Sequence, residues 1–138
     1  IELPDMVFMQ SVNILPLWLT AINAGARGAV IGDPVLARGN TNLLERLGHI
    51  QASVLDKQGQ VLATGSSDAL MGHPLNVVRW IRDEVIARGG RLKAGDVLWL
   101  GSLTPPIPAV PGESYQVLFT GLNEYPVSIQ VNIRGASR

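Results

Sequence analysis

Cysteine is absent from the 138 residues, which removes a disulfide scaffold, thiolate zinc sites and a cysteine nucleophile. Histidine is scarce: only His49 and His73 occur, far apart in sequence and without thiol partners, which argues against a histidine-based metal site. Charge is sparse and balanced, with eleven Lys and Arg against eleven Asp and Glu and a formal net charge of zero. Phosphate binding needs a local excess of cations, and here they are scattered from Arg27 to Arg138. The expectation is therefore no nucleic-acid partner and no electrostatic attachment to an anionic membrane. Long apolar runs are missing too. The longest, Ile14 to Leu19, contains Pro16 and falls well short of the roughly 20 residues of a membrane span. Also lacking are internal repeats, a G-x-S-x-G nucleophile elbow and a dinucleotide or phosphate-loop glycine pattern. The chain opens on Ile1, with no charged region or cleavage site ahead of it. A processed chain, or part of a longer one, is expected.

What is present suits a folded domain. Hydrophobic residues make up 46% of the chain, and a chain of this length buries roughly two-thirds of its unfolded surface, enough for a core without crosslinks. Ile1 to Met9, interrupted by Pro4, reads as an extended or edge strand. Leu15 to Ala24 reads as a short helix with Pro16 in its first turn, and Gly28 to Gly32 as a short buried strand. Asp33 to Asn42 reads as a loop. His49 to Leu55 and Val61 to Thr64 form a hairpin across the glycine-containing Asp56–Gln60 loop. The best helix runs from Pro74 to about Arg88, with Leu75, Val78, Ile81 and Val85 as its core face. Arg79 and Asp83 form an i,i+4 pair, and Gly89-Gly90 ends the helix. Val97 to Leu100 reads as a buried strand, Ser102 to Gly112 as a proline-rich loop, and Tyr115–Thr120 and Val127–Ile133 as two closing strands. The sum is a strand-rich α+β domain with one main helix, spanning residues 1–138 as a single unit.

Few residues suggest chemistry. His49, at the start of a strand, reads as structural or solvent-facing. His73 lies just before the helix beside Gly72, where its ring either reaches a ligand or serves the local structure. Asp83 and Glu84 belong to a solvated helix face, and Gly25, Gly28 and Gly32 read as turn glycines. Glu2 and Asp5 point to opposite faces of an extended chain, so they are not an acid–base pair. An isolated carboxylate among apolar neighbours needs a cation or a positive partner. After Leu98-Trp-Leu, Gly101 allows close approach of a ligand to backbone, with the hydroxyls of Ser102 and Thr104 beside it. The alternative is a proline-stiffened crossover whose hydroxyls cap backbone groups.

Several segments together resemble one family. Gly72-His-Pro-Leu-Asn-Val-Val-Arg-Trp-Ile81 resembles the G-x-P-x-x-x-x-x-W-[LI] segment of bacterial 2-keto-4-pentenoate hydratases and 4-oxalocrotonate decarboxylases. Leu92-Lys-Ala-Gly-Asp-Val-Leu-Trp-Leu-Gly-Ser-Leu-Thr104 is similar to their L-x-x-G-D-x-[VIL]-x-x-G-S-x-T. Order and separation agree. Glu2-Leu-Pro-Asp5 resembles the family's A-x-E-[LIV]-x-D segment, and Ala24 to Gly32 its later segment ending in Val-[Leu/Ile]-Gly. The resemblance covers Glu2 to about Leu122 and places the chain beside the C-terminal part of the fumarylacetoacetate hydrolase superfamily.

That resemblance implies a mixed β roll around a divalent ion, magnesium or manganese, held by a Glu-x-Glu pair and a later glutamate. Glu2 matches the later one. No Glu-x-Glu pair occurs in the chain, and the family's catalytic lysine is likewise expected upstream, so the catalytic residues themselves stay unassigned and the N-terminal portion of the domain is expected to lie outside these residues. Gly101, Ser102, Thr104, His73 and Asn23 are the implied substrate-binding positions. Where hydratases often read Asp-Asn-x-Ser-Ser, this chain reads Ile22-Asn23-Ala24-Gly25-Ala26. The implied activity is that of a metal-dependent lyase, a hydratase or decarboxylase of a 2-hydroxy-dienoate or 2-keto acid in aromatic-compound catabolism. The partner is a small keto or enol acid, and the setting a cytoplasmic homo-oligomer. The alternatives are a non-catalytic relative with a binding or assembly role, and an acylpyruvate-type carbon–carbon hydrolase.

Overall fold

Alternation of apolar and polar residues organises the main sheet. In the computed structural model, which describes residues 1–4, 26–37 and 41–135, four strands lie in one antiparallel sheet. Numbering the elements in chain order, these are β3 (Gln51–Leu55), β4 (Val61–Ser66), β5 (Ser114–Thr120) and β6 (Val127–Asn132), in the spatial order β4-β3-β5-β6. Directly opposed residues share a face. The register places Ala52 between Gly65 and Phe119, and Val117 between Val54 and Ile129, with Tyr115 opposite Val131. Ala52, Val117 and Val131 are buried, so this is the core face. Ser53, Thr64, Leu118 and Ser128 line the opposite face with Gln116 and Gln130, which is mostly polar, as expected of a sheet covered on one side.

The β3–β4 hairpin is closed where the sequence places it. The Asp56 carboxylate accepts from the N–H groups of Gln58 and Gln60 (2.9 and 2.8 Å), and Gly59 takes φ +80°. A side chain–backbone turn of this kind is a standard use of Asp. Lys57 then pairs with Glu113 at 2.9 Å. The long helix, α2, spans Pro74–Ala87. Its face differs from the periodicity expectation: Val77 and Pro74 are buried, whereas Leu75 is 37% exposed. A stripe centred one step round the helix satisfies Val78, Ile81 and Val85 nearly as well, so the periodicity alone does not choose the register. Asp83 bonds Arg82 rather than Arg79, and Arg88 reaches back to Glu84.

One expected strand fails. Val97 to Leu100 is not a strand, and Val97 and Trp99 are 63% and 45% exposed. A strand exists only where a neighbouring edge exchanges hydrogen bonds with it, and no described strand pairs with this segment. A short helix, α1 (Leu43–Leu47), fills the stretch between the expected loop and the expected strand, for which the sequence offered no element.

The chain divides into two compact units, Ile1–Asp33 and Pro34–Arg138. In the first, β1 (Glu2–Pro4) pairs antiparallel with β2 (Ala26–Ala29). The strand expected at Gly28–Gly32 thus sits two residues earlier, and all four of its residues are exposed rather than buried. A two-stranded ribbon has too little apolar surface to bury its own faces. The helix expected over residues 15–24 and the carboxylate of Asp5 lie outside the described residues.

Candidate functional site

The larger unit carries a shallow cavity of about 250 Å³, walled by Ala69–Met71, by Val77 and Trp80 of α2, and by Leu100–Ser102. Three local structures set its walls.

The first is the turn that leads into α2. A single 3-10 turn, Ser67–Ala69, places Leu70 in the core. Met71 follows at φ +54° and Gly72 at +78°. A left-handed methionine costs on the order of 1 kcal/mol, and here the side-chain amide of Asn76 donates to the Met71 carbonyl at 2.9 Å. His73 is then the N-cap of α2. The Leu75 N–H donates to its Nδ1 at 3.2 Å, while its Nε2 lies 3.0 Å from the Leu44 carbonyl. A carbonyl only accepts, so Nε2 carries the proton and Nδ1 offers the lone pair. Pro74 follows at the first helical position, where its missing N–H is no loss.

The second wall is the glycine-rich run before the loop. Gly95, at φ +95°, and Asp96 form a tight turn in which the Lys93 N–H donates to the Asp96 carboxylate at 2.7 Å. The G-D of the longer sequence motif is thus a turn capped by its own aspartate. Gly101 takes φ +105°, with Leu70 Cδ2 3.5 Å from where a Cβ would stand.

The third is the support under the loop. Ser102 Oγ donates to the Thr104 carbonyl at 2.6 Å, tying the loop to itself. Below it, Gly65 of β4 has no side chain on the core face, and the Leu103 carbonyl occupies the space a Cβ would need, its carbon 2.6 Å away. Farther along, Tyr115 Oη donates to the Pro108 carbonyl (3.2 Å) and accepts from the Val110 N–H (3.3 Å), holding the proline-rich segment to β5.

The candidate residues therefore separate. Gly101 and Ser102 line the cavity, and Thr104 lies two residues beyond, half-buried, as the acceptor of the Ser102 bond. His73 stands at the foot of α2 with both ring nitrogens bonded to backbone, a structural use that its position before Pro74 already signals. His49 is solvent-facing. Asn23 lies outside the described residues. Glu2 is exposed on β1, in the smaller unit. Beside it the Ile1 nitrogen donates to the Val30 carbonyl at 2.8 Å.

Sequence reasoning did not single out the apolar wall of Leu70, Met71, Val77 and Trp80. Trp80 was visible as the aromatic of the shorter motif, but its place opposite Gly101 depends on the turn at Met71-Gly72. A divalent ion takes six or more oxygen ligands. Among the described residues no three His, Cys, Asp or Glu side chains come together, so these residues by themselves do not make such a site.

Comparison with known proteins places these features. No family model matches the chain. It is 35% identical over 71 residues to a 2-hydroxyhexa-2,4-dienoate hydratase of Comamonas testosteroni, covering 51% of this chain and 27% of that enzyme. It is 32% identical over 69 residues to a 4-oxalocrotonate decarboxylase of a Pseudomonas species, covering 50% of this chain and 26% of that one. Among solved structures, 4-oxalocrotonate decarboxylase of Pseudomonas putida complexed with magnesium and adipate superposes with a TM-score of 0.73. The identity there is 22%, over 90% of this chain and 44% of that one. The same enzyme with calcium and acetate gives 0.71 at 24% identity, over 86% and 42%. The chain thus shares the fold of these decarboxylase structures and is a relative, over a segment, of hydratases and decarboxylases. It spans about a quarter of the length of the curated relatives it matches.

Proposed function

We propose that this chain contributes the substrate-holding wall of a hydratase- or decarboxylase-type lyase that acts on a 2-hydroxy-dienoate or 2-keto acid in aromatic-compound catabolism. The observation that carries the reading is the use made of the longer motif. Gly101 and Ser102 of its G-S-x-T end line the cavity beside Val77 and Trp80 from the helix of the shorter motif, and the Leu103 carbonyl between Ser102 and Thr104 packs on Gly65. The sequence similarity to hydratases and decarboxylases is the independent support.

On this reading each residue has a limited role. The Ser102 hydroxyl donates its hydrogen bond to the Thr104 carbonyl, so its oxygen is left as an acceptor for the enol O–H of the substrate. Gly101 keeps side-chain bulk away from that oxygen. Thr104 and His73 position the loop and the helix, respectively. Asn23 is carried forward as a substrate-binding candidate from its sequence position alone, and Glu2 as one candidate carboxylate for a magnesium or manganese ion. Such an ion requires further carboxylates beyond those the described residues bring together. A single hydratase-like domain, a cytoplasmic location and homo-oligomerisation belong to the same proposal. Of these, homo-oligomerisation has support in exposed apolar side chains such as Val97 and Trp99; among the described residues no helix is long and apolar enough to cross a membrane. A second reading, a relative that binds without catalysing, is favoured by one observation: no titratable side chain lines the cavity among the described residues.

The test is turnover of 2-hydroxypenta-2,4-dienoate with added magnesium by the complete protein that would supply the remaining carboxylates and catalytic residues, followed by loss of dienoate absorbance. Turnover is expected, with kcat/KM about 10-fold lower in Ser102→Ala, the size of one lost hydrogen bond. Folded protein that binds the substrate but does not turn it over selects the non-catalytic reading.

A further inference from the structure

The cavity wall has a composition that separates two kinds of substrate. Leu70, Met71, Val77, Trp80 and Leu100 supply hydrocarbon, and the polar end is confined to Gly101 and Ser102. Among the described residues lining it, none carries a charge. Met71 and Trp80 are 58% and 53% exposed, so a substantial part of this apolar surface faces solvent. At about 250 Å³ the space is below the roughly 300–1,000 Å³ of pockets for drug-sized molecules, which suits an acid of a few carbons.

We infer that this cavity takes the hydrocarbon end of a monocarboxylic substrate, with its oxygenated end toward Ser102, and selects against a substrate that carries a second carboxylate at its far end. The inference rests on the lyase reading above and deepens it. The relatives named there act on acids of both kinds by their names: a hexadienoate, ending in carbon, and an oxalocrotonate, ending in a second acid group. A distal carboxylate placed against Trp80 and Met71 meets no cation among the described lining residues and keeps its water only by standing off the apolar wall, so it gains nothing there. A distal methyl or methylene in the same place removes apolar surface from water on both sides. The left-handed turn at Met71 contributes by presenting that side chain to the cavity rather than to the core, where Leu70 already sits.

Hexanoate and adipate, equal in carbon count, isolate the distal group. Binding of each to the purified protein, and of butanoate, is measured by calorimetry or ligand-observed NMR. Hexanoate is expected to bind at least 10-fold more tightly than adipate, and more tightly than butanoate by about 4-fold for each added methylene. Met71→Arg, at a largely exposed and unbranched position, places a cation on the wall and is expected to bring adipate level with hexanoate or ahead of it. Adipate bound as well as hexanoate by the unmodified protein overturns the inference, as does a preference that Met71→Arg does not move, or failure of all three acids to bind. Turnover of 2-hydroxyhexa-2,4-dienoate and 4-oxalocrotonate is run alongside. Turnover that favours the dicarboxylate overturns the inference and leaves the lyase reading standing. The hexanoate preference without any turnover overturns the lyase reading and leaves an apolar monocarboxylate site.

Discussion

Replacing Gly65 by alanine tests whether the Ser102–Thr104 loop is carried by the sheet. A Cβ at this position stands 2.6 Å from the Leu103 carbonyl carbon and closer still to its oxygen, where 3.4 Å is the lower edge of ordinary contact. The shortfall is 3.4 − 2.6 = 0.8 Å, and the opposing atoms are backbone rather than the end of a flexible side chain. Either β4 moves off β3 or the loop lifts. Overpacking of this kind costs about 1–3 kcal/mol. Alanine regains about 0.5–1 kcal/mol because glycine loses more backbone freedom in a strand. The net expectation is a loss of about 1–2 kcal/mol, which for a unit of roughly 100 residues lowers Tm by about 5–15 °C. Thermal and urea unfolding followed by circular dichroism measure it. Gly135→Ala is the control: it lies in the same unit, and its nearest atom, Pro111 Cβ, is 3.8 Å away. Because the lifted loop carries Ser102, hexanoate affinity should fall with stability. A Gly65→Ala protein that melts with the unmodified one and binds hexanoate equally well would refute the argument that this glycine seats the loop.

The cap of α2 and one surface pair give two further expectations. His73→Ala removes the acceptor for Leu75 N–H and the donor to the Leu44 carbonyl, and should cost about 1 kcal/mol or somewhat more in urea unfolding. His73→Asn restores a capping oxygen without reaching Leu44, so it should recover only part of that loss; full recovery would mean the Leu44 bond contributes nothing. Lys57→Ala breaks the pair with Glu113, whose partners are 49% and 34% exposed, and should change stability by less than about 1 kcal/mol, with the difference shrinking in added salt.

Local chemistry in the sequence determined a good part of this protein. Alternation in Tyr115–Thr120 and Val127–Asn132 specified strands with one apolar face, because a strand's side chains alternate whatever their partners are. Asp56 and Gly59 specified the hairpin loop, and His73-Pro74 specified the start of α2, since caps and turns are closed by residues a few positions apart. The two motifs pointed to the segments that wall the cavity. The tertiary structure decided the rest. Val97 to Leu100 is as apolar as a buried strand, yet an apolar run says only that burial is favourable, and no described edge pairs with it. Val77 rather than Leu75 is buried because the rotation of an amphipathic helix is chosen by what it packs against. Gly65 looks like any strand glycine until Leu103, from a loop nearly forty residues later, lies across it. The meeting of Trp80 with Gly101 and Ser102 has the same origin: contacts between distant segments depend on the path of the whole chain, which no window of sequence contains.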